Sequence, residues 1–241
     1  MPLILILTLL GLCFGSFLSA LVDRDGTNKS IWRGRSACVF CRKKIWLRDL
    51  LPVFNFFLLR GCCRFCKKPI GWKEPTIEIV SGLIFLAVGL VHHGIFGLEL
   101  VRDLIFSIFF ILFFLIDWRL GLLPYRFTLI GTIVALMFNL GTQNFVQLQI
   151  IFGMIVCGGF FYLQHLVSRG RWVGGGDAGM GLYIGAVLGL TYGLWALGLA
   201  YIIGAFFALF LLATKKATMK SQIPFGPFLA IAGWIILLIR V

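Results

Sequence analysis

LIFSIFFILFFLID, residues 104–117, decides the reading of the fold. No charged residue falls between Leu104 and Ile116, and the run ends on Asp117. An ionised carboxylate at the edge of hydrocarbon costs free energy unless it is neutralised or used, so it marks a functional position by default. A second acid, Asp177, follows the glycine run Gly174, Gly175 and Gly176. Two such acids point to an acid/base pair.

The rest of the chain supplies the matching environment. Its 241 residues are 60% hydrophobic and only 13% charged, with a mean hydropathy of +1.01. Soluble domains are roughly half apolar and a quarter charged, so this composition excludes one and indicates an integral membrane protein. Apolar runs of the length that crosses a bilayer as a helix lie near 2–22, 76–96, 101–116, 127–141, 146–167, 179–192, 195–213 and 223–239. Glycine blurs the boundaries between Gly181 and Gly193. The fold class expected is an all-α polytopic membrane protein of about eight transmembrane helices, with a soluble insert after the first. Residues 1–22 form the first helix, 23–75 the insert and 76–241 a helical bundle.

Charge placement orients this arrangement. The net charge is +13. Thirteen basic residues fall between Arg24 and Lys73, among them Lys29, Arg33, Arg35 and Arg48. With eight spans, Arg119, Arg126, Arg169, Arg171, Lys215, Lys216 and Lys220 share their side, and only Arg102 and Arg240 lie opposite. Cytoplasmic loops carry the excess of Lys and Arg, which puts the amino terminus outside and the insert and both aspartates at the cytosolic face. The basic balance is thereby a topology signal, and no nucleic-acid partner is expected. Pro2 to Val22 lacks the basic segment that precedes a cleavable signal and is read as a retained helix.

Five of the seven cysteines fall in the insert. Cys38 with Cys41 and Cys63 with Cys66 form two Cys-x-x-Cys pairs at the spacing of a tetrahedral zinc site, each pair a knuckle donating two thiolates. Arg42, Lys43, Arg64 and Lys67 offset the negative charge of a four-thiolate centre. A disulfide or redox pair is the competing reading, disfavoured by a reducing cytosol; an iron–sulfur cluster would use the same ligands. Four thiolates close the coordination shell, so the metal's role is structural. Cys62 is spare, and Cys13 and Cys157, in apolar runs, are read as small buried hydrophobes. Leu50 to Leu59 is too short to span and too apolar to float, so it packs on the bundle or lies at the membrane interface. No internal repeat is evident.

Paired aspartates hydrolyse a peptide by sharing one proton. One carboxylate deprotonates water while its protonated partner donates to the scissile carbonyl. Glycines at 174, 175 and 176 would let an extended substrate approach the backbone closely. Taken singly, an Asp at a helix end reads as a cap and a glycine run as a turn. The run lacks the lysine and hydroxyl of a phosphate-binding loop. His92 and His93 are placed at the outer interface and His165 in packed core.

In order and spacing these residues resemble the type IV prepilin peptidases, membrane aspartic proteases of the Gly-x-Gly-Asp kind, over essentially the whole chain. Phe14, Gly15, Ser16, Phe17 and Leu18, followed by Arg24, match the family's opening motif. The cysteine knuckles match its zinc-binding loop, with Pro52, Leu59, Arg60 and Gly61 between them. Pro75, Glu78 and Gly82 match the start of its second helix, and Asp117 with Leu123 and Pro124 its first catalytic segment. Gly174, Gly176 and Asp177 match its second catalytic segment, and Pro224, Phe225, Gly226 and Pro227 its carboxy-terminal motif. The resemblance implies an endopeptidase of the bacterial inner membrane, with Asp117 and Asp177 catalytic, that cuts the basic leader from prepilins or pseudopilins of pilus, type II secretion or competence systems. It also implies S-adenosylmethionine-dependent methylation of the new amino terminus as a second activity, for which Glu78 and the amino-terminal motif are the nearest candidates. The chain departs from the family pattern at Tyr125, where Asp is usual, at Gly179, where Lys is usual, and at Ser19, where Asn is usual. The rival readings are a membrane transporter or assembly factor whose aspartates carry protons, with the cysteine loop as a docking zinc ribbon, and a thiol-redox membrane protein.

Overall fold

The computed structural model describes residues 2–25, 38, 40–44, 51–141, 146–218, 221 and 223–241. Of the positions used above, Lys29, Arg33, Arg35, Arg48, Leu50 and Lys220 lie outside the described residues. Among the described residues the regular elements are all helices: α1 (Pro2–Asp25), α2 (Phe54–Leu58), α3 (Lys73–Val91), α4 (Leu98–Leu120), α5 (Tyr125–Gly141), α6 (Val146–Ser168), α7 (Gly175–Ala213) and α8 (Gly226–Ile239). Four are long and apolar enough to cross a membrane, namely α1, α3, α6 and α7, while α5 and α8 are shorter apolar helices. In α4, charged Glu99, Arg102, Asp103, Asp117 and Arg119 crowd both ends of the apolar run. The chain divides into two compact units, Met1–Leu104 and Ile105–Val241.

In the first unit α1 packs along α3 through small residues. A Cβ at Gly11 would lie 2.7 Å from the Ser81 carbonyl oxygen, and one at Gly82 would lie 2.7 Å from Leu12 Cδ2. Small residues of this kind let membrane helices approach closely enough for dispersion to hold them. Cys13, expected to be buried, is exposed. It lies on one stripe of α1 with Ile6, Leu9 and Phe17, all exposed. The far end of α3 is held through side chains: His92 Nε2 stands 3.1 Å from the buried Asp103 carboxylate, whose other oxygen accepts from Arg102 Nε at 2.8 Å. His92 is thus engaged by Asp103, while His93 is exposed.

The second unit is organised around Tyr183. Its hydroxyl donates to the Phe106 carbonyl at 3.0 Å, and the rings of Phe106, Phe109, Phe110 and Phe113 surround it with centroids 5.0–6.5 Å away. Helix α7 has 39 residues, about 58 Å if straight, roughly twice the hydrocarbon thickness. It is not straight. Gly189 has φ 72° and ψ −171°, a conformation essentially confined to glycine. A Cβ at Gly193 would lie 3.9 Å from Gly185 Cα, so the chain folds back on itself at Gly189. The expected runs 179–192 and 195–213 therefore belong to one helical element with two arms. Gly153 of α6 fits against the reversal, its missing Cβ 2.5 Å from the Gly189 carbonyl carbon. Cys157 is buried there as expected, its carbonyl oxygen 2.5 Å from where a Gly181 Cβ would stand.

Candidate active site and metal centre

Asp117 closes the last turn of α4. Gly121, with φ 64°, ends the helix by donating its N–H to the Asp117 carbonyl at 2.9 Å, a left-handed glycine stop. The chain then turns through Leu123 and Pro124 into α5. Asp117 is 6% exposed, and its buried Oδ2 has no hydrogen-bond partner among the described residues. The backbone N–H of Gly226 is directed at this carboxyl. A Cβ at Gly226 would stand 2.6 Å from Asp117 Oδ2, so only glycine fits, and the motif Pro224 to Pro227 closes over the acid.

Asp177 sits in the first turn of α7 and caps it. Its Oδ2 accepts the Gly174 N–H at 3.1 Å, and an acid in a first turn is favoured by the helix dipole. The cap reading is therefore correct for this residue. It does not exhaust it, since the Asp117 and Asp177 carboxyls lie within electrostatic reach of each other. The intervening backbone is tightly fitted: a Cβ at Gly176 would lie 2.6 Å from the Leu123 carbonyl oxygen. Gly176 is thus demanded by packing. Around Gly174 and Gly175 a Cβ would meet only Asp177 Oδ2 at 3.6 Å, or Tyr125 and His165 at 3.8 and 4.0 Å. Half-buried His165 fixes this loop by pairing Nδ1 with the Val173 carbonyl at 3.0 Å.

The two departures near the site have structural counterparts. A Cβ at Gly179 would lie 2.4 Å from Thr128 Oγ1, so the Thr128 side chain occupies the space that a lysine would need. Tyr125 opens α5 and is exposed, with its ring beside Gly175. Sequence reasoning missed Tyr201. Its hydroxyl is hydrogen-bonded to the Gln164 amide at 3.2 Å, and it lies within electrostatic reach of Asp177. Tyr201 is as far beyond Gly189 along the chain as Asp177 is before it, so the reversal of α7 brings them level. An aromatic residue in an apolar run carries no signal of this.

In the first unit, the thiols of Cys38, Cys41, Cys63 and Cys66 lie within 4.8 Å of one another and can hold a metal ion. Tetrahedral bonds of about 2.3 Å put sulfurs about 3.8 Å apart, and Cys38 Sγ to Cys66 Sγ is 3.8 Å. Backbone N–H groups of Cys66 and then Phe65 point at Cys63 sulfur and hold its thiol down to about 6, favouring the thiolate that binds metal. Cys62 lies outside the cluster, in an isolated bridge to Pro69.

The two knuckles expected from the paired cysteines share one turn. Cys38 N–H donates to Lys43 O at 3.0 Å and Arg42 N–H to Cys38 O at 2.8 Å; Cys63 N–H donates to Lys68 O at 2.9 Å and Lys67 N–H to Cys63 O at 3.0 Å. Arg42 and Lys67 share φ 56°. Lys43 Nζ lies 5.0 Å from the Phe65 ring centre and Lys68 Nζ 4.7 Å from that of Phe40, reciprocal cation–π contacts across the module.

Comparison with known proteins gives matches along most of the chain. Residues 9–92 match the Bacterial Peptidase A24 N-terminal domain and residues 104–209 the Type IV leader peptidase family. Among curated relatives, the prepilin leader peptidase/N-methyltransferase of Aeromonas hydrophila is 31% identical, covering 85% of this chain and 71% of the relative. The proteins of that name from Bacillus subtilis and Dickeya chrysanthemi are 29% and 30% identical, covering 93% and 95% of this chain and 90% of each relative. No solved structure matches.

Proposed function

This chain belongs to the type IV leader peptidase family, and on that premise we propose that it is a membrane-embedded aspartic endopeptidase that removes the basic leader from prepilins or pseudopilins. The observation that carries the assignment of its chemistry is the buried, unpartnered Oδ2 of Asp117 within electrostatic reach of Asp177. A buried acceptor with no partner is costly, and a shared proton or a bound water would satisfy it. One carboxylate accepts the proton of water, the other donates to the scissile carbonyl, and no covalent intermediate forms. Gly174 and Gly175 leave room for the substrate backbone beside Asp177. The chain would lie in the bacterial inner membrane with about eight crossings, the arms of α7 counted separately, and with the aspartates and the cysteine module at the cytosolic face. Its alternating basic loops support that orientation.

The thiol cluster is read as a structural zinc site held by Cys38, Cys41, Cys63 and Cys66, which ties residues on either side of α2 into one module. Zinc there supplies folding free energy and no chemistry. Methylation of the new amino terminus is the second activity carried by the relatives' name. The cavity lined by Ser16 and Glu78, about 160 Å³, is smaller than the roughly 300–1,000 Å³ of a site enclosing a drug-sized molecule. It does not fit the whole of S-adenosylmethionine.

Hydroxylamine separates this chemistry from a thiol nucleophile. A synthetic prepilin cut by the purified protein in its presence should yield only a free carboxylate at the new end, read by mass. A hydroxamate product would reveal an acyl-enzyme and contradict the aspartate mechanism.

A further inference from the structure

The glycines before Asp177 have no side chains to fix their own backbone, so the peptide planes there must be set from outside. His165, in the last turn of α6, does this. The helix ends in a wrap around that residue: Gly170, at φ 75°, donates its N–H to the His165 carbonyl at 2.9 Å, and Ser168 Oγ accepts the Trp172 N–H at 3.3 Å. The imidazole lies on Gly170, where a Cβ would stand 3.2 Å from its Cε1. So held, His165 places Nδ1 3.0 Å from the Val173 carbonyl oxygen. A carbonyl oxygen only accepts, so Nδ1 carries the proton and donates.

That carbonyl and the Gly174 N–H belong to one planar peptide unit. Asp177 Oδ2 accepts from the N–H at 3.1 Å. His165 and Asp177 therefore grip opposite edges of the same peptide, and donation to its oxygen also polarises its N–H as a donor. Rotation of this peptide plane about its flanking bonds would swing the N–H away from Asp177, and the His165 bond opposes that rotation. We propose that His165 is a positioning residue for leader removal: through the peptide joining Val173 to Gly174 it fixes the direction of the Asp177 carboxyl. The role rests on the proposed pairing of Asp177 with Asp117.

The test uses the full-length protein in detergent as wild type, as His165→Leu, which keeps a branched side chain without a donor, and as His165→Asn, whose amide nitrogen replaces Nδ1. Isotope labelling of valine carbonyl carbon together with glycine nitrogen marks just the two peptides joining Val88 to Gly89 and Val173 to Gly174. The Gly174 amide is thus read by NMR with Gly89 as internal control. His165→Leu should move the Gly174 signal and leave that of Gly89, and His165→Asn should restore it. On a synthetic prepilin, kcat should fall about tenfold in His165→Leu, the scale of one hydrogen bond, at unchanged KM, and recover in His165→Asn. An unmoved Gly174 signal or an unchanged kcat in folded His165→Leu would overturn the proposal. If His165→Leu does not fold, spectra of nitrogen-labelled histidine in the wild type decide: a proton on Nδ1 supports the link and a bare Nδ1 overturns it. Asp177→Asn is measured beside them. Cleavage by Asp177→Asn would remove the aspartate-pair reading and this role with it; an inactive Asp177→Asn beside a fully active His165→Leu removes the role alone.

Discussion

Gly226 bears on Asp117 more directly than any side chain does. Its missing Cβ leaves the 2.6 Å gap that Asp117 Oδ2 occupies, so Gly226→Ala must push the carboxyl or the backbone aside. Displacements of about 1 Å can cost on the order of a hundredfold in rate. Leader removal by Gly226→Ala should fall by about that factor while the protein remains folded, as judged by its unfolding midpoint. Cys63 gives a prediction with a pH sign. Its thiol is held at about 6, below the ordinary 9.0, so the cluster should hold metal above pH 6 and lose it as pH falls through 6. Metal retained after dialysis at each pH, read by elemental analysis, checks this. Both aspartates and all four clustered cysteines were legible as residues, because charge in an apolar run and paired cysteines are rare. Tyr201 and Thr128 were not, since their placement depends on which helices meet.

The reversal in α7 is the element on which the second unit turns. Gly189 adopts a conformation that costs other residues about 1–3 kcal/mol, and Gly153 leaves the space for it. Gly189→Ala should lower stability by roughly that amount, read from thermal or denaturant unfolding in detergent, and should reduce leader removal by displacing the arm that carries Asp177. The sequence showed a glycine-blurred boundary here but not a fold-back, because hydrophobic periodicity reports burial and not direction. The two knuckles were legible from their paired cysteines, but the identity of their turns was not. Only Cys, Phe and basic positions recur between residues 38–44 and 63–69, and it is the shared hydrogen bonds that reveal one turn used twice. Chelating the metal should release this module, since structural zinc is worth about 10–16 kcal/mol to small sites. Limited proteolysis should then cut within the insert while the helices of the second unit stay resistant.

At the scale of the whole molecule, the second family match, residues 104–209, begins within one residue of the division into units at Leu104 and Ile105, and the first, residues 9–92, lies wholly in the first unit. The first unit holds the thiol cluster and the Glu78 cavity; the second holds both aspartates. Membrane character and helical class followed from composition, which averages over the chain and survives errors in any one boundary. The number of crossings did not follow as directly, because α4 is charged at both ends and α5 and α8 are short. The central claim is that Asp117 and Asp177 act as one hydrolytic pair. The most direct measurement is the mass of a prepilin co-expressed with the wild-type chain, with Asp117→Asn and with Asp177→Asn. Loss of the leader with wild type alone is the predicted result, and leader removal that persists in either variant would contradict the account.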